Sequence, residues 1–292
     1  MQLTDLNASD SLAIRAAERS MGAVLIDAGR LNPEQVRQIL GLQVQLGLRF
    51  GEAALQLGYC TVADIDFALS RQFDYAYLKR GESSLSETLV AAYDPFTARV
   101  EALRALRAQL MLRWFNDRAR KSLAIVSPAA GEGRSYVAAN LAIVFSQLGQ
   151  RTLLIDADLR NPSQHRLYGL ENRYGLSAVL SGRASTEAIH RIPTLLDLSV
   201  LPAGVVPPNP QELLARPAFA QLIEQLGEQY DVILLDTAPG GATADAQTIA
   251  SRAGAALVVA KKRLTSTTQL RALAQTLAAG KAEVLGAVLN DF

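Results

Sequence analysis

The sequence predicts an α/β domain with a mostly parallel sheet, preceded by a small all-helical domain built from a tandem repeat. Three observations carry this. From residue 123 onward, short apolar runs alternate with helix-like segments, and such runs are strands of a parallel sheet covered on both faces. One of these runs enters a small-residue loop that leads straight into a helical segment, Ser127-Pro128-Ala129-Ala130-Gly131-Glu132-Gly133-Arg134-Ser135. Upstream, residues 20–43 and 49–72 resemble each other at one fixed offset.

The whole chain sets bounds. Its 292 residues suffice for roughly two domains of about 100–200 residues each. Hydrophobic residues make up 49% and charged residues 20%, so a sizeable core can form. The net charge of +1 gives no field that would gather nucleic acid. The lone Cys60 excludes an internal disulfide or a multi-cysteine metal site and fits a reducing compartment. Residues 1–10 carry no secretion signal, and no apolar run approaches the roughly 18 residues of a spanning helix. The expected location is cytoplasmic, with recruitment to the inner membrane left to a partner. The expected division is a helical domain over 1–78, a linker over 79–95 and the α/β domain over 96–292.

In the repeat, Gly22 pairs with Gly51, Gly29 with Gly58, Leu40 with Leu69 and Gln43 with Gln72. Ile26 with Leu55 and Val36 with Ile65 keep apolar character. Each copy reads as a short helix, a glycine-ended turn, an N-cap and a second helix. Asn32-Pro33-Glu34 opens the second helix of copy one, and Thr61-Val62-Ala63-Asp64 that of copy two. Arg49-Phe50-Gly51, Ala54-Leu55, Gly58, Ile65, Leu69 and Gln72 resemble the tandem motif of the N-terminal domain of type II secretion ATPases. Some members of that family bind cyclic di-GMP, one basic-led motif per guanine half. The resemblance implies a cyclic di-GMP site at Arg49, Gly51 and Gly58. Copy one departs from it, with Ser20 in the basic slot and Arg19 one place off. The same glycine and apolar positions would also serve to build a small helical domain.

Residues 79–95 are largely polar and small, and Asp94-Pro95 marks a turn before a helix over 96–115. Leu103, Leu106, Leu110 and Trp114 make an apolar stripe at helical spacing. Glu101, Arg104 and Arg107 share another face, either a solvated ion-paired face or an oligomer contact.

The α/β domain reads as strands over 123–126, 151–155, 198–201, 232–235, 255–260 and 284–289, with helices over 135–148 and 217–226 among them. Gly131 and Gly133 free the loop backbone so that successive N–H groups can face one anion, and the following helix adds its N-terminal partial charge. The stretch matches the P-loop pattern G-x-x-x-x-G-K-[ST] with two departures, Pro128 at the first glycine and Arg134 at the lysine, and by itself leaves a plain strand-turn-helix open. Glu132, Arg134, Ser135 and Tyr136 complete the expected nucleotide-binding stretch. Asp156, Asp158 and Asp236 fall at strand ends on the same edge of the sheet. Ser135, Asp158 and Asp236 are the expected Mg²⁺ ligands, and Asp156 the base that accepts a hydroxyl proton.

Ile155-Asp156-Ala157-Asp158-Leu159-Arg160 and Ile233-Leu234-Leu235-Asp236-Thr237-Ala238-Pro239 resemble the second and third signature motifs of bacterial tyrosine kinases. Supporting matches are Gly175-Leu176-Ser177, Pro207-Pro208-Asn209-Pro210 with Glu212-Leu213-Leu214, and Gly286-Ala287-Val288-Leu289-Asn290. The Glu101/Arg104/Arg107 spacing resembles that family's subunit-contact helix. The resemblance covers residues 96–292. It implies a P-loop NTPase fold, ATP and Mg²⁺, catalytic roles for Asp156, Arg134 and Asp158, and Asn290 near the adenine. It also implies a homo-oligomer and a transmembrane polysaccharide co-polymerase as partner, in control of exopolysaccharide chain length. A switch ATPase or a nucleotide-sensing scaffold on the same fold stays open as the alternative.

Two departures bear on activity. Shifting a unit charge from about 4 to about 5 Å from a phosphate costs roughly 1 kcal/mol at an effective dielectric near 20, so Arg134 is compatible with ATP binding. Catalysis is less tolerant, since a ~1 Å misplacement can cost about a hundredfold. Asn290-Asp291-Phe292 carries none of the tyrosines on which many members of the family autophosphorylate. Tyr168, Tyr174 and Tyr230 are then the internal candidates. Lys261-Lys262-Arg263 reads as a solvated loop, and His165 and His190 lack metal-ligand spacing.

Overall fold

The computed structural model describes residues 20–72, 78, 80, 81, 83–195 and 197–291. Expectations for residues 1–19, Lys79, Glu82 and Phe292 lie outside them. The chain divides into two compact units, residues 1–76 and 77–292.

The first unit holds four helices, Met21–Asp27, Pro33–Leu46, Phe50–Gln56 and Val62–Gln72. Ser20 caps the first through its hydroxyl, which accepts from the Ala23 N–H at 3.2 Å. Asn32 and Gln35 close a reciprocal capping box at 2.9 Å each way. Gly29 and Gly58 take φ of 67° and 65°, the left-handed conformation that ends each first helix. Gly22 and Gly51 answer a different need. A Cβ on Gly22 would lie 3.1 Å from Val36 Cγ1, and one on Gly51 3.0 Å from Ile65 Cγ2. Val36 and Ile65 are themselves a repeat pair, so both copies make the same close helix contact. The first helix packs on the fourth and the second on the third, around Leu25, Ile39, Ala53, Ala54 and Ala68.

The second unit is a seven-stranded sheet in the order β3-β4-β2-β5-β1-β6-β7. The strands are β1 Ser122–Val126, β2 Thr152–Asp156, β3 His190–Arg191, β4 Leu198–Leu201, β5 Val232–Asp236, β6 Ala255–Lys261 and β7 Glu283–Asn290. Only the two-residue β3 is antiparallel among the described pairings. Strands β1, β2 and β5 are buried along their whole length, which explains their unbroken apolar runs. One core lies on each face of the sheet. The first gathers Leu123, Ile125, Leu154 and Leu234 beneath the helix Arg134–Ser146, and the second Val126, Leu153, Ile155 and Leu235 beneath Pro217–Gln229 and Asp245–Ala253.

The linker expectation is corrected in part. Leu85 and residues 89–93 are buried in the first of these cores, where Val90–Tyr93 forms a short helix. The buried Asn140 amide accepts from the Ala91 N–H at 2.9 Å and donates to the Thr88 carbonyl at 3.3 Å. Gln147 Nε2 donates to the Ala91 carbonyl at 2.9 Å. The small, polar residues of 79–84 masked the apolar Leu89-Val90-Ala91-Ala92-Tyr93 that follows. The next helix is shorter than expected, Ala98–Arg113; the Trp114 backbone N–H ends it on the Leu110 carbonyl at 2.9 Å, while the indole N–H donates to the Ser122 carbonyl at 2.9 Å. Leu103, Leu110 and Trp114 face the core as the stripe implies, with Leu106 half-buried beside them.

Candidate functional site at the carboxyl edge of the sheet

Strand order sets the site. The chain leaves β1 toward β2 on one side and reaches β6 on the other, so ligands belong at the carboxyl ends of β1 and its neighbours. The loop 127–133 emerges there. Gly131 and Gly133 hold φ of 77° and 92°, which L side chains rarely adopt. A Cβ at Gly133 would also strike Asn290 Nδ2 at 2.0 Å. The helix Arg134–Ser146 begins immediately after, presenting its free N–H groups to the loop. The Gly240 and Gly241 N–H groups donate to the Ser127 and Pro128 carbonyls at 2.8 and 2.9 Å, tying the loop after β5 to this one.

Three carboxylates meet beside the loop. Asp156 and Asp236 are the last residues of adjacent strands and lie in register. Both are fully buried, and Asp158 is 3% exposed. Burial, then the nearby Asp236 carboxylate, raises the Asp156 pKa to about 8, against the opposing N–H groups of Gln164 and Ser163. Burial raises Asp236 as well, opposed by Arg134, Gln164 and Ser135. Asp156 accepts from the N–H groups of Asp158, Ser163 and Gln164 at 3.3, 2.9 and 2.9 Å. Asp158 accepts from the N–H groups of Arg160 and Asn161 at 3.2 and 2.9 Å. Both carboxylates therefore also shape the loop that carries them.

Arg134 lies differently from a phosphate-facing residue. It is 7% exposed and turned inward. Its Nη1 donates to Ser127 Oγ at 2.6 Å, Nη2 lies 3.4 Å from Asp158 Oδ2, and Nε lies 3.7 Å from Asp236 Oδ1. The guanidinium offsets part of the charge of these two carboxylates, while its Nε and Asp236 Oδ1 stay without hydrogen-bond partners.

The hard oxygen donors fit magnesium. Asp236 Oδ1 is buried with no hydrogen-bond partner, and Ser135 lies near enough to the Asp236 carboxylate to oppose its upward shift. Mg²⁺ takes one or two carboxylates and fills its other positions with water and phosphate.

Asn290 and Tyr136 stand to one side of the loop. With Leu103, Leu106 and Val288 they line a cleft of about 310 Å³. Asn290 Nδ2 donates to the Glu132 carbonyl at 3.0 Å. The Glu132 side chain is not turned outward: at 1% exposure it accepts from the Ala129 N–H at 2.7 Å and from the Thr265 hydroxyl.

Gln164 was not singled out from sequence. Its Nε2 donates to Asp236 Oδ2 at 2.7 Å and to the Ser135 carbonyl at 3.1 Å, bridging two site elements. The Arg160–Asp245 pair, with Nε to Oδ2 at 2.7 Å, joins the loop after β2 to the helix after β5. Neither has a sequence motif to announce it, although Arg160 closes one. Tyr168 is corrected as a phosphorylation candidate: it is 2% exposed and its hydroxyl donates to the Ala139 carbonyl at 3.0 Å. Tyr174 is 53% exposed. On the helix Ala98–Arg113, Arg104 pairs with Glu101, and Arg107 Nη1 donates to the Val144 carbonyl at 2.5 Å.

Comparison with known proteins gives consistent matches. The model of the ParA family, NUBPL iron-transfer P-loop NTPases, matches residues 118–291. The tyrosine-protein kinase YwqD of Bacillus subtilis is 37% identical over 74% of this chain and 90% of its own length. The putative tyrosine-protein kinase EpsB of Ralstonia solanacearum is 31% identical over 90% of this chain, which spans only 32% of that protein. The kinase domain of the Escherichia coli tyrosine kinase ETK superposes with a TM-score of 0.69 at 32% identity, covering 75% of this chain and 85% of that domain.

Proposed function

The chain belongs to the bacterial tyrosine-protein kinase family of P-loop NTPases, and we propose that it transfers the γ-phosphoryl group of ATP to tyrosine hydroxyls in the control of exopolysaccharide polymerisation or export. The observation that carries this is the convergence of Asp156, Asp158, Asp236 and Ser135 beside a left-handed glycine loop, at the carboxyl edge of the sheet. Burying three carboxylates costs stability that packing alone does not return.

In this reading the N–H groups of residues 131–135 and the helix N-terminus bind the phosphates. Asn290 and Tyr136 border the base. Ser135, Asp158 and Asp236 would hold magnesium, which would supply charge neutralisation to the phosphates. Arg134 gives up its contacts with Asp158 and Asp236 as the nucleotide enters and turns toward the phosphates. The tyrosine oxygen bonds to the γ-phosphorus, the bond to the β–γ bridging oxygen breaks, and ADP leaves. Asp156 takes the tyrosine proton, and its raised pKa suits a base working near neutrality. Access to it requires the 157–163 loop to release at least one of the N–H bonds that hold its oxygens.

The same proposal places an oligomer contact on the Glu101/Arg104/Arg107 face and a transmembrane polysaccharide co-polymerase as the partner that brings a cytoplasmic kinase to the membrane. No helix among the described residues is long and apolar enough to cross a membrane, which is compatible with such recruitment. For the repeat unit, cyclic di-GMP is the proposed ligand, with exposed Arg49 as its guanine- or phosphate-facing group.

Incubation with ATP and Mg²⁺ followed by mass spectrometry tests the enzyme reading. Phosphotyrosine is expected in wild type, on this chain or on an added partner, and reduced by about 10²–10⁴-fold in Asp156→Asn. ADP release without phosphotyrosine would instead mark a switch ATPase.

A further inference from the structure

Glu132 sits inside a phosphate-binding loop, yet its carboxylate is almost wholly buried and spends both oxygens on protein donors. One oxygen accepts from the Ala129 N–H, within the loop. The other accepts from the hydroxyl of Thr265, which belongs to the turn after β6. That hydroxyl in turn accepts from the Lys261 N–H at 2.8 Å, and the Thr265 N–H donates to the Lys261 carbonyl at 3.0 Å. The same turn is fixed a second time: the Lys262 N–H donates to the Asn290 carbonyl at 2.8 Å, and Asn290 Nδ2 donates to the Glu132 carbonyl at 3.0 Å. The contacts close a ring through the P-loop, the end of β6 and the end of β7. Gly133 lies against that ring, too close to Asn290 to carry a side chain. The turn itself is costly to form, since Arg263 holds φ of 63°.

We propose that Glu132 and Thr265 are positioning residues: together they hold the phosphate loop open in its anion-receiving shape by tying it to the 261–266 turn. The physical reason is that a glycine-rich loop is otherwise free to collapse. Its N–H groups converge on one anion only if something outside the loop sets its curvature. A buried side chain bonded at both ends supplies that restraint without touching the nucleotide. Glu132 thus acts on the nucleotide through the loop rather than by contact. The turn after β6 becomes part of the binding site, although sequence reading assigns it to solvent.

The inference rests on the nucleotide-binding reading above, and the test separates the two. Titration of the full chain with a fluorescent ADP analogue and Mg²⁺ is expected to show about tenfold weaker binding in Thr265→Val, which keeps the shape and removes the hydroxyl. In Thr265→Val KM for ATP should rise with kcat little changed, and Thr265→Ser is expected to restore affinity to within about twofold. A purely structural role would lower thermal stability in Thr265→Val and leave its affinity at the wild-type value. That result would overturn the inference, as would a Thr265→Ser variant no better than Thr265→Val. Should Thr265→Val not fold, hydrogen exchange on wild type decides: amides 261–266 are expected to slow when ADP binds, and unchanged exchange there overturns the proposal. Wild type that binds no ADP at all would overturn the nucleotide reading itself.

Discussion

The two units explain their signature residues in opposite ways. In the helical repeat, every repeated glycine has a packing or turn reason: Gly22 and Gly51 let helices approach Val36 and Ile65, and Gly29 and Gly58 end helices in left-handed turns. Its only buried charged residue among those described is Asp64, which closes onto Thr61 and Arg30. In the α/β unit, Glu132, Arg134, Asp156, Asp158, Gln164, Asp236, Asp245 and Asn290 are all buried, and packing gives no account of most of them. Buried charge is expensive, so what packing leaves unexplained is what points to a ligand. By that standard the α/β unit carries its own argument for a site. The repeat rests on Arg49 alone.

The largest expected effect tests whether the buried cluster is held together by charge. Arg134→Met removes the cation facing Asp158 and Asp236, and should cost about 3–5 kcal/mol in denaturant unfolding without added metal. Asp156 and Asp236 bind a proton more tightly folded than unfolded, so the stability they add is present at low pH and lost as pH rises, for Asp156 toward about 8. The loss in Arg134→Met should therefore be greater at pH 8 than at pH 5, and millimolar Mg²⁺ should recover part of it. A loss independent of both would mean that Arg134 serves packing.

A smaller effect probes the other side of the comparison. Gly51→Ala should destabilise the repeat unit by about 1–3 kcal/mol through the Ile65 contact, and pairing it with Ile65→Val should return much of that. Calorimetric titration of wild type and Arg49→Ala with cyclic di-GMP sharpens the point. Heat in wild type that disappears in Arg49→Ala supports the ligand, and flat wild-type traces leave the repeat as architecture.

The smallest stability change is expected for a double charge reversal of Arg104 and Arg107. The Glu101–Arg104 pair, with Glu101 exposed and Arg104 half-buried, contributes on the order of 0–1 kcal/mol, and Arg107 donates to the Val144 carbonyl. Light scattering is the measurement that matters there. A wild-type oligomer should become monomeric in the variant, and an oligomer that persists would take the contact off this helix.

Sequence alone determined the parallel sheet, because strands buried on both faces must be apolar without interruption. It also determined the glycine loop and the duplication, since backbone freedom and fixed-offset pairs are written in residue identity. Asp156, Asp158 and Asp236 were legible as strand-end acids for the same reason: the hydrophobic run stops at them. Only the tertiary structure decided what those groups touch. Arg134 folds inward onto two carboxylates, Glu132 turns away from the loop mouth to Thr265, Gln164 bridges Asp236 to Ser135, and the segment around Val90–Tyr93 is core rather than tether. Each of these depends on a partner far away in the chain, brought near by β-strand order. A local pattern of residues holds no record of which distant side chain will stand opposite.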